Sequence, residues 1–269
     1  MLKRLLLRAQ ELKREKDLRG RMHLRTIQAN AIKGIFEVLK DIINDVNVYF
    51  SPEGLKILTL DTARVTLVHM NLSAENFEEY VCPREITAGL NMANTFKLLK
   101  SVGPADTLTM NITGSEILEC IIENTAKKSK TTFSLKLLDI NEDILDVPEI
   151  SMDLITTMPS IDFQRIARDM GNLASDMNIF RDGNILELSC MGDFANQKTV
   201  LEFPDFLTKR TGATYNLRYI NMFTKATGLC SSVQLMQDSS DENMPIVFRY
   251  GIANLGDVKF YLAPRVDES

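Results

Sequence analysis

Pro52–Val68, PEGLKILTLDTARVTLV, reads as a strand, a tight turn and a second strand, opened by the turn signal Glu53-Gly54. A similar unit returns at Arg181–Cys190, RDGNILELSC, where Asp182-Gly183 precedes another apolar-polar run. The two turn signals lie 129 residues apart (182 − 53). A chain of 269 residues has room for two domains of about 130 residues each, so a repeat at this offset points to duplication.

Helical periodicity recurs four times around these units. In NAIKGIFEVLKDIINDV (30–46), Ile32, Ile35, Phe36, Leu39, Ile42, Ile43 and Val46 form one stripe. NMANTFKLLKSVG (91–103) aligns Met92, Phe96, Leu99 and Val102, with Gly103 as a stop signal. PSIDFQRIARDMGNLA (159–174) aligns Phe163, Ile166, Ala167, Met170 and Leu173, and LRYINMFTKATG (217–228) is the shortest. The first and third helices start 129 residues apart and the second and fourth 126, close to the offset of the turn-strand units. Short β-type runs such as DTLTMNITGSEILECIIE, KTTFSLKLL and NMPIVFRYGIANLGDVKFYLA fill the intervals as antiparallel meanders. The expected organisation is a basic extension (1–21), one helix–sheet–helix–sheet domain (22–138), an acidic connector (139–150) and a second copy (151–269). The fold class is α+β, two helices on antiparallel sheets in each copy.

Composition excludes several classes. No apolar run approaches the roughly 18 residues of a membrane span. Cys82, Cys120, Cys190 and Cys230 are widely spaced with no CxxC pair, as in an intracellular protein with reduced, buried thiols. His23 and His69 lack ligand-spaced partners and read as structural. Asp139, Asn141 and Asp143 start like a calcium loop, but Ile144 and Ile150 stand where glycine and glutamate are needed. Neither a phosphate-binding GxxxxGK[ST] nor a GxSxG elbow is present. No metal, cofactor or catalytic centre is expected.

Charge is distributed unevenly. Residues 1–21 carry a net +5 against −5 for the whole chain, leaving −10 on the rest. Such a body repels nucleic acid unless its cations are gathered. Each helix carries a basic pair spaced for one face: Lys33 and Lys40, Lys97 and Lys100, Arg165 and Arg168, Arg218 and Lys225. Four such pairs suit one surface meeting a phosphate backbone, although Glu37 lies within the first.

Four segments then carry a resemblance: LDTARVTLV (60–68), KLLDINEDILDVPE (136–149), RYINMFTKAT (218–227) and VKFYLAPRVDES (258–269). In this order they resemble the proliferating cell nuclear antigen family, the eukaryotic and viral DNA sliding clamps, from Met22 to Ser269. The resemblance implies a homotrimeric ring whose twelve helices line a hole around duplex DNA. The eight basic residues above would face the DNA. Partner proteins would dock in a groove walled by Leu60, Val65, Leu67, Leu145, Val147, Pro148, Pro245, Tyr261, Leu262, Ala263 and Pro264. The family's clients are DNA polymerase, clamp loader, flap endonuclease and ligase, held by short hydrophobic motifs. The ring would close by TTFSLKL (131–137) of one copy against KTVLEF (198–203) of the next. The implied location is the nucleus or a viral replication compartment.

Residues 1–21 have no counterpart in the resemblance and read as a basic appendage, a targeting segment or an upstream start before Met22. Arg64 and Asp146 depart from common family residues, which suggests a divergent or viral member. A subunit of a heterotrimeric, checkpoint-type ring is the other reading of the same fold.

Overall fold

The computed structural model describes residues 21–114, 116–141, 145, 151–204 and 209–265. The extension 1–20 and most of the connector, Val147 and Pro148 included, lie outside the described residues. The first half of the chain runs β1 (Arg21–Thr26), α1 (Ala29–Leu39), β2 (Asp45–Ser51), β3 (Gly54–Leu60), β4 (Thr66–Ser73), β5 (Glu79–Val81), β6 (Ile86–Asn91), α2 (Met92–Leu99), β7 (Thr107–Thr113), β8 (Ile117–Asn124) and β9 (Ser129–Lys136). The second runs β10 (Leu154–Pro159), α3 (Ser160–Gly171), β11 (Asp176–Asp182), β12 (Ile185–Met191), β13 (Asn196–Glu202), β14 (Arg210–Asn216), α4 (Leu217–Phe223), β15 (Ser232–Gln237), β16 (Ile246–Ile252) and β17 (Gly256–Leu262). Without the short β5, both halves follow one order: strand, helix, four strands, helix, three strands.

Among the described residues the strands form three antiparallel sheets. β5-β1-β7-β8-β9 belongs to the first half and β13-β12-β11-β14 to the second. The third, β10-β15-β16-β17-β4-β3-β2-β6, takes four strands from each half. Its seam is the β17–β4 ladder, from Gly256 opposite Leu72 to Leu262 opposite Thr66. Each domain thus gives four strands to a shared sheet and keeps the rest, five in the first half and four in the second, at an outer end.

The helices pack on one side of these sheets. α1 lies along α2 and α3 along α4, and a 3-10 turn at Thr224–Gly228 touches both α1 and α3. Gly34 makes this last contact possible, because a Cβ there would stand 2.7 Å from Leu229 Cδ2. Both second helices open on asparagine caps: Asn91 Oδ1 accepts from the Asn94 N–H and Asn216 Oδ1 from the Arg218 N–H, each at 2.9 Å. In the second half's core Phe223 stacks flat on Phe260, centroids 4.7 Å apart, and Phe248 packs beside both Phe163 and Phe223.

All four helices end before their apolar stripes do, the fourth passing into a 3-10 turn at Thr224, and the first departs most from its sequence reading. The stripe from Ile32 to Val46 predicts a continuous helix, yet α1 ends at Leu39 and Val46 lies in β2. The Ile43 N–H still donates to the Leu39 carbonyl at 2.8 Å, in a turn that keeps Ile43 and Val46 against the same core. The periodicity recorded burial, which outlasted the helix.

Candidate nucleic-acid interface and partner groove

With the apolar stripes turned onto the sheets, the helices leave one polar surface across both domains. Lys97, Lys100, Arg165, Arg168, Arg218 and Lys225 are exposed there, and Lys33 and Lys40 are half-buried. The eight are not equally available. Lys33 Nζ donates to the Val102 carbonyl at 2.8 Å, just past the end of α2. Lys40 Nζ pairs with Asp41 at 2.7 Å and stands 5.3 Å above the Phe96 ring. Lys225 reaches the same Asp41 from the other domain at 2.5 Å. Arg165 and Arg168 make longer contacts, to Asp162 at 3.3 Å and Asp169 at 3.8 Å, and exposed pairs of this kind hold weakly.

The turn between β8 and β9 adds cations that a helix-based reading missed. Lys127 and Lys128 are exposed in it, Lys128 in the left-handed region at φ 51°, and Lys130 follows near the start of β9, paired with Glu123 at 3.0 Å. Asp106 anchors the turn by accepting from Asn124 Nδ2 at 2.5 Å and from the Gly103 N–H at 2.8 Å. The Gly103 N–H, then Asn124, with Lys127 and Lys33 nearby, hold its carboxyl below the ordinary range. Asp106 therefore joins the end of α2, where Lys33 docks, to the lysine turn. The signal was legible as a KKSK run in a hairpin.

Most of the residues expected to wall the partner groove belong to the face of the eight-stranded sheet that carries Tyr261, opposite the buried Leu262. Antiparallel register sets Leu60, Leu67, Tyr261, Val247, Met236 and Ile155 opposite one another in a row across six strands. Ala263 extends the ladder, its N–H donating to the Val65 carbonyl at 3.1 Å. Pro245 directly precedes β16 and Pro264 directly follows Ala263, so both flank the row's strands. The turn at its rim is tightly specified. Asp61 accepts from the N–H groups of Val65 and Thr66 at 2.8 and 2.7 Å and from the Tyr219 hydroxyl at 3.1 Å. Arg64, in that turn, sits at φ 56°.

Two of the expected wall residues lie elsewhere. Leu262 points the other way, fully buried in the core, because it alternates with Tyr261 along β17. Leu145 settles over a neighbouring cleft with Tyr49, Lys56, Leu58, Glu85 and Ile86, on the β2-β3-β6 side. Val147 and Pro148 are not among the described residues.

His23 bridges strands through Asn111 at 2.7 Å and Glu79 at 3.1 Å, and His69 contacts Asn71 at 2.8 Å. Among the described residues no group of three or more His, Cys, Asp or Glu is arranged to hold a metal ion. No helix among them is long and apolar enough to cross a membrane.

Comparison with known proteins decides the lineage. The model of the proliferating cell nuclear antigen N-terminal domain matches residues 22–145, and that of the C-terminal domain matches 146–265. The chain belongs to the proliferating cell nuclear antigen family of DNA sliding clamps. Among its relatives in the clamp family is the probable DNA polymerase sliding clamp 1 of Paramecium bursaria Chlorella virus 1. It is 36% identical over 254 residues, covering 90% of this chain and 96% of the relative. The crystal structure of proliferating cellular nuclear antigen from Entamoeba histolytica matches with a TM-score of 0.84 at 25% identity, covering 91% of this chain and 99% of that clamp. The two domain models meet inside the 139–150 stretch, and the basic extension precedes the first of them.

Proposed function

We propose that three identical copies of this chain close into a ring around duplex DNA and tether DNA polymerase to its template. The observation that carries the reading is the β17–β4 seam. By the duplication, β17 of the second half corresponds to β9 of the first, and β4 corresponds to β13. The chain therefore contains one finished junction of this type and one copy of each edge needed for another. Both loose edges belong to the same chain, so identical copies suffice, and a heterologous relation of this kind forms a ring when the rotation between copies closes. Repeating the seam three times between copies and three times within them yields a pseudo-sixfold ring.

The helix layer then lines the hole. Its cations contact phosphates without reading bases, and salt-sensitive contacts of this sort permit sliding. The acidic remainder of the body limits adhesion of DNA to the outside. Leu60, Val65, Leu67 and Tyr261 offer the groove to short hydrophobic motifs of polymerase, clamp loader, flap endonuclease and ligase. The site of action is wherever that DNA is replicated, the nucleus or a viral replication compartment.

Topological retention tests the reading. Loaded onto a nicked circular duplex, the clamp is expected to stay bound in high salt and to be released when the circle is cut. Loss in high salt from the intact circle would contradict encirclement.

A further inference from the structure

Asp41 occupies an unfavourable position by local rules. It directly follows Lys40, the C-terminal cap of α1, where unpaired carbonyls make the helix end partly negative. The carboxylate is accommodated because two ammonium groups reach it, Lys40 at 2.7 Å and Lys225 at 2.5 Å. Lys40 belongs to the first domain and also stands over Phe96 of α2, whereas Lys225 lies in the 3-10 turn of the second. One carboxylate thus gathers two of the eight cations assigned to the DNA-facing surface and spans the domain boundary. Burial pushes the Asp41 carboxyl up, but the hydrogen bonds and charges of Lys225 and Lys40 outweigh it and hold the group below its ordinary range. It is charged wherever the clamp works.

We propose that Asp41 is a positioning residue for DNA: it clasps Lys40 and Lys225 together, so that a passing phosphate must compete for them with a carboxylate already in place. The inference rests on the DNA-facing reading of the helix layer. With Asp41 ionised the cluster carries a net charge of about +1, and without it about +2. A phosphate meeting the clasp exchanges one anion for another, and the contact stays weak and short-lived. Without the carboxylate both lysines would take phosphate partners outright, each adding counterion release to binding. The clasp thereby favours movement along the duplex over grip.

The test is binding of the full chain to a short fluorescent duplex across a salt series. Asp41→Asn keeps the shape and removes the charge. It is expected to tighten binding several-fold at low salt and to steepen the salt dependence of log K by about 1 to 2. Asp41→Glu is expected to restore the parent slope. Lys225→Gln should cost more slope in the Asp41→Asn background than in the parent, a coupling that a purely structural role would not produce. Thermal unfolding of each variant checks that the fold is retained. Parent binding together with an unchanged or shallower Asp41→Asn slope would overturn the Asp41 assignment alone. Absence of duplex binding by the parent under all conditions would overturn the DNA-facing reading and the clasp with it.

Discussion

The seam between the domains and the two outer edges of the molecule are built from corresponding strands with different fates. At the seam Phe260 sits opposite Val68, and neither side chain is exposed at all. On β9 and β13 the side chains that point to the core, Phe133, Leu135 and Leu201, remain half-buried, and the intervening residues are exposed. Alternation is the same in both places, so the difference lies in what covers the strands. An open edge with an apolar inner row is a pairing template, which most proteins blunt. Here the duplication leaves one such edge at each end.

Substitutions at the two places should separate them. Phe260→Ala at the seam removes a fully buried ring stacked on Phe223 and is expected to cost about 3–5 kcal/mol, read as a lowered urea midpoint. Leu201→Lys at the open edge brings a charge to the inner row of β13. It should leave the far-ultraviolet circular dichroism of the subunit intact while abolishing retention on circular DNA. If Leu201→Lys unfolds the subunit as Phe260→Ala does, the edge is part of the monomer's core and the contrast fails. Tyr219→Phe removes the hydroxyl that Asp61 accepts across the domain boundary, at about 0.5–1.5 kcal/mol by chemical denaturation. The smallest effect concerns acid. Asp153, at the start of the second domain, pairs with Lys209 and accepts from Ser239, which pulls its pKa down to about 2. A depressed carboxyl stabilises the fold above its unfolded value, so this contribution is lost as pH falls from about 4 towards 2. Asp153→Asn should flatten that part of a stability-against-pH curve, and an unaltered curve would show the pairing to be energetically idle.

The sequence displayed the duplication because turn signals and helical stripes survive copying. Asp182-Gly183 and Glu53-Gly54 mark equivalent hairpins, and Asn91 and Asn216 cap equivalent helices. Individual boundaries were less legible. Ile43 and Val46 stay buried after α1 has ended, so an apolar stripe overstates the helix by several residues. The basic pairs were legible as spacing, but their availability was not, since Lys33, Lys40 and Lys225 are engaged by groups up to 184 residues away. Leu262 fell outside the groove for a simpler reason: neighbours on a strand face opposite ways, so Tyr261 and Leu262 cannot line the same wall. The lysine turn after β8 lies outside every helix, so helical spacing does not register its cations.

Ring closure requires the β9 and β13 edges to find each other on neighbouring copies. Solution mass across a concentration series, by light scattering or native mass spectrometry, tests it most directly. One chain has a mass of 30.4 kDa, so three copies predict 91.2 kDa, stable on dilution. A mass that stays at 30.4 kDa as concentration rises would contradict self-closure.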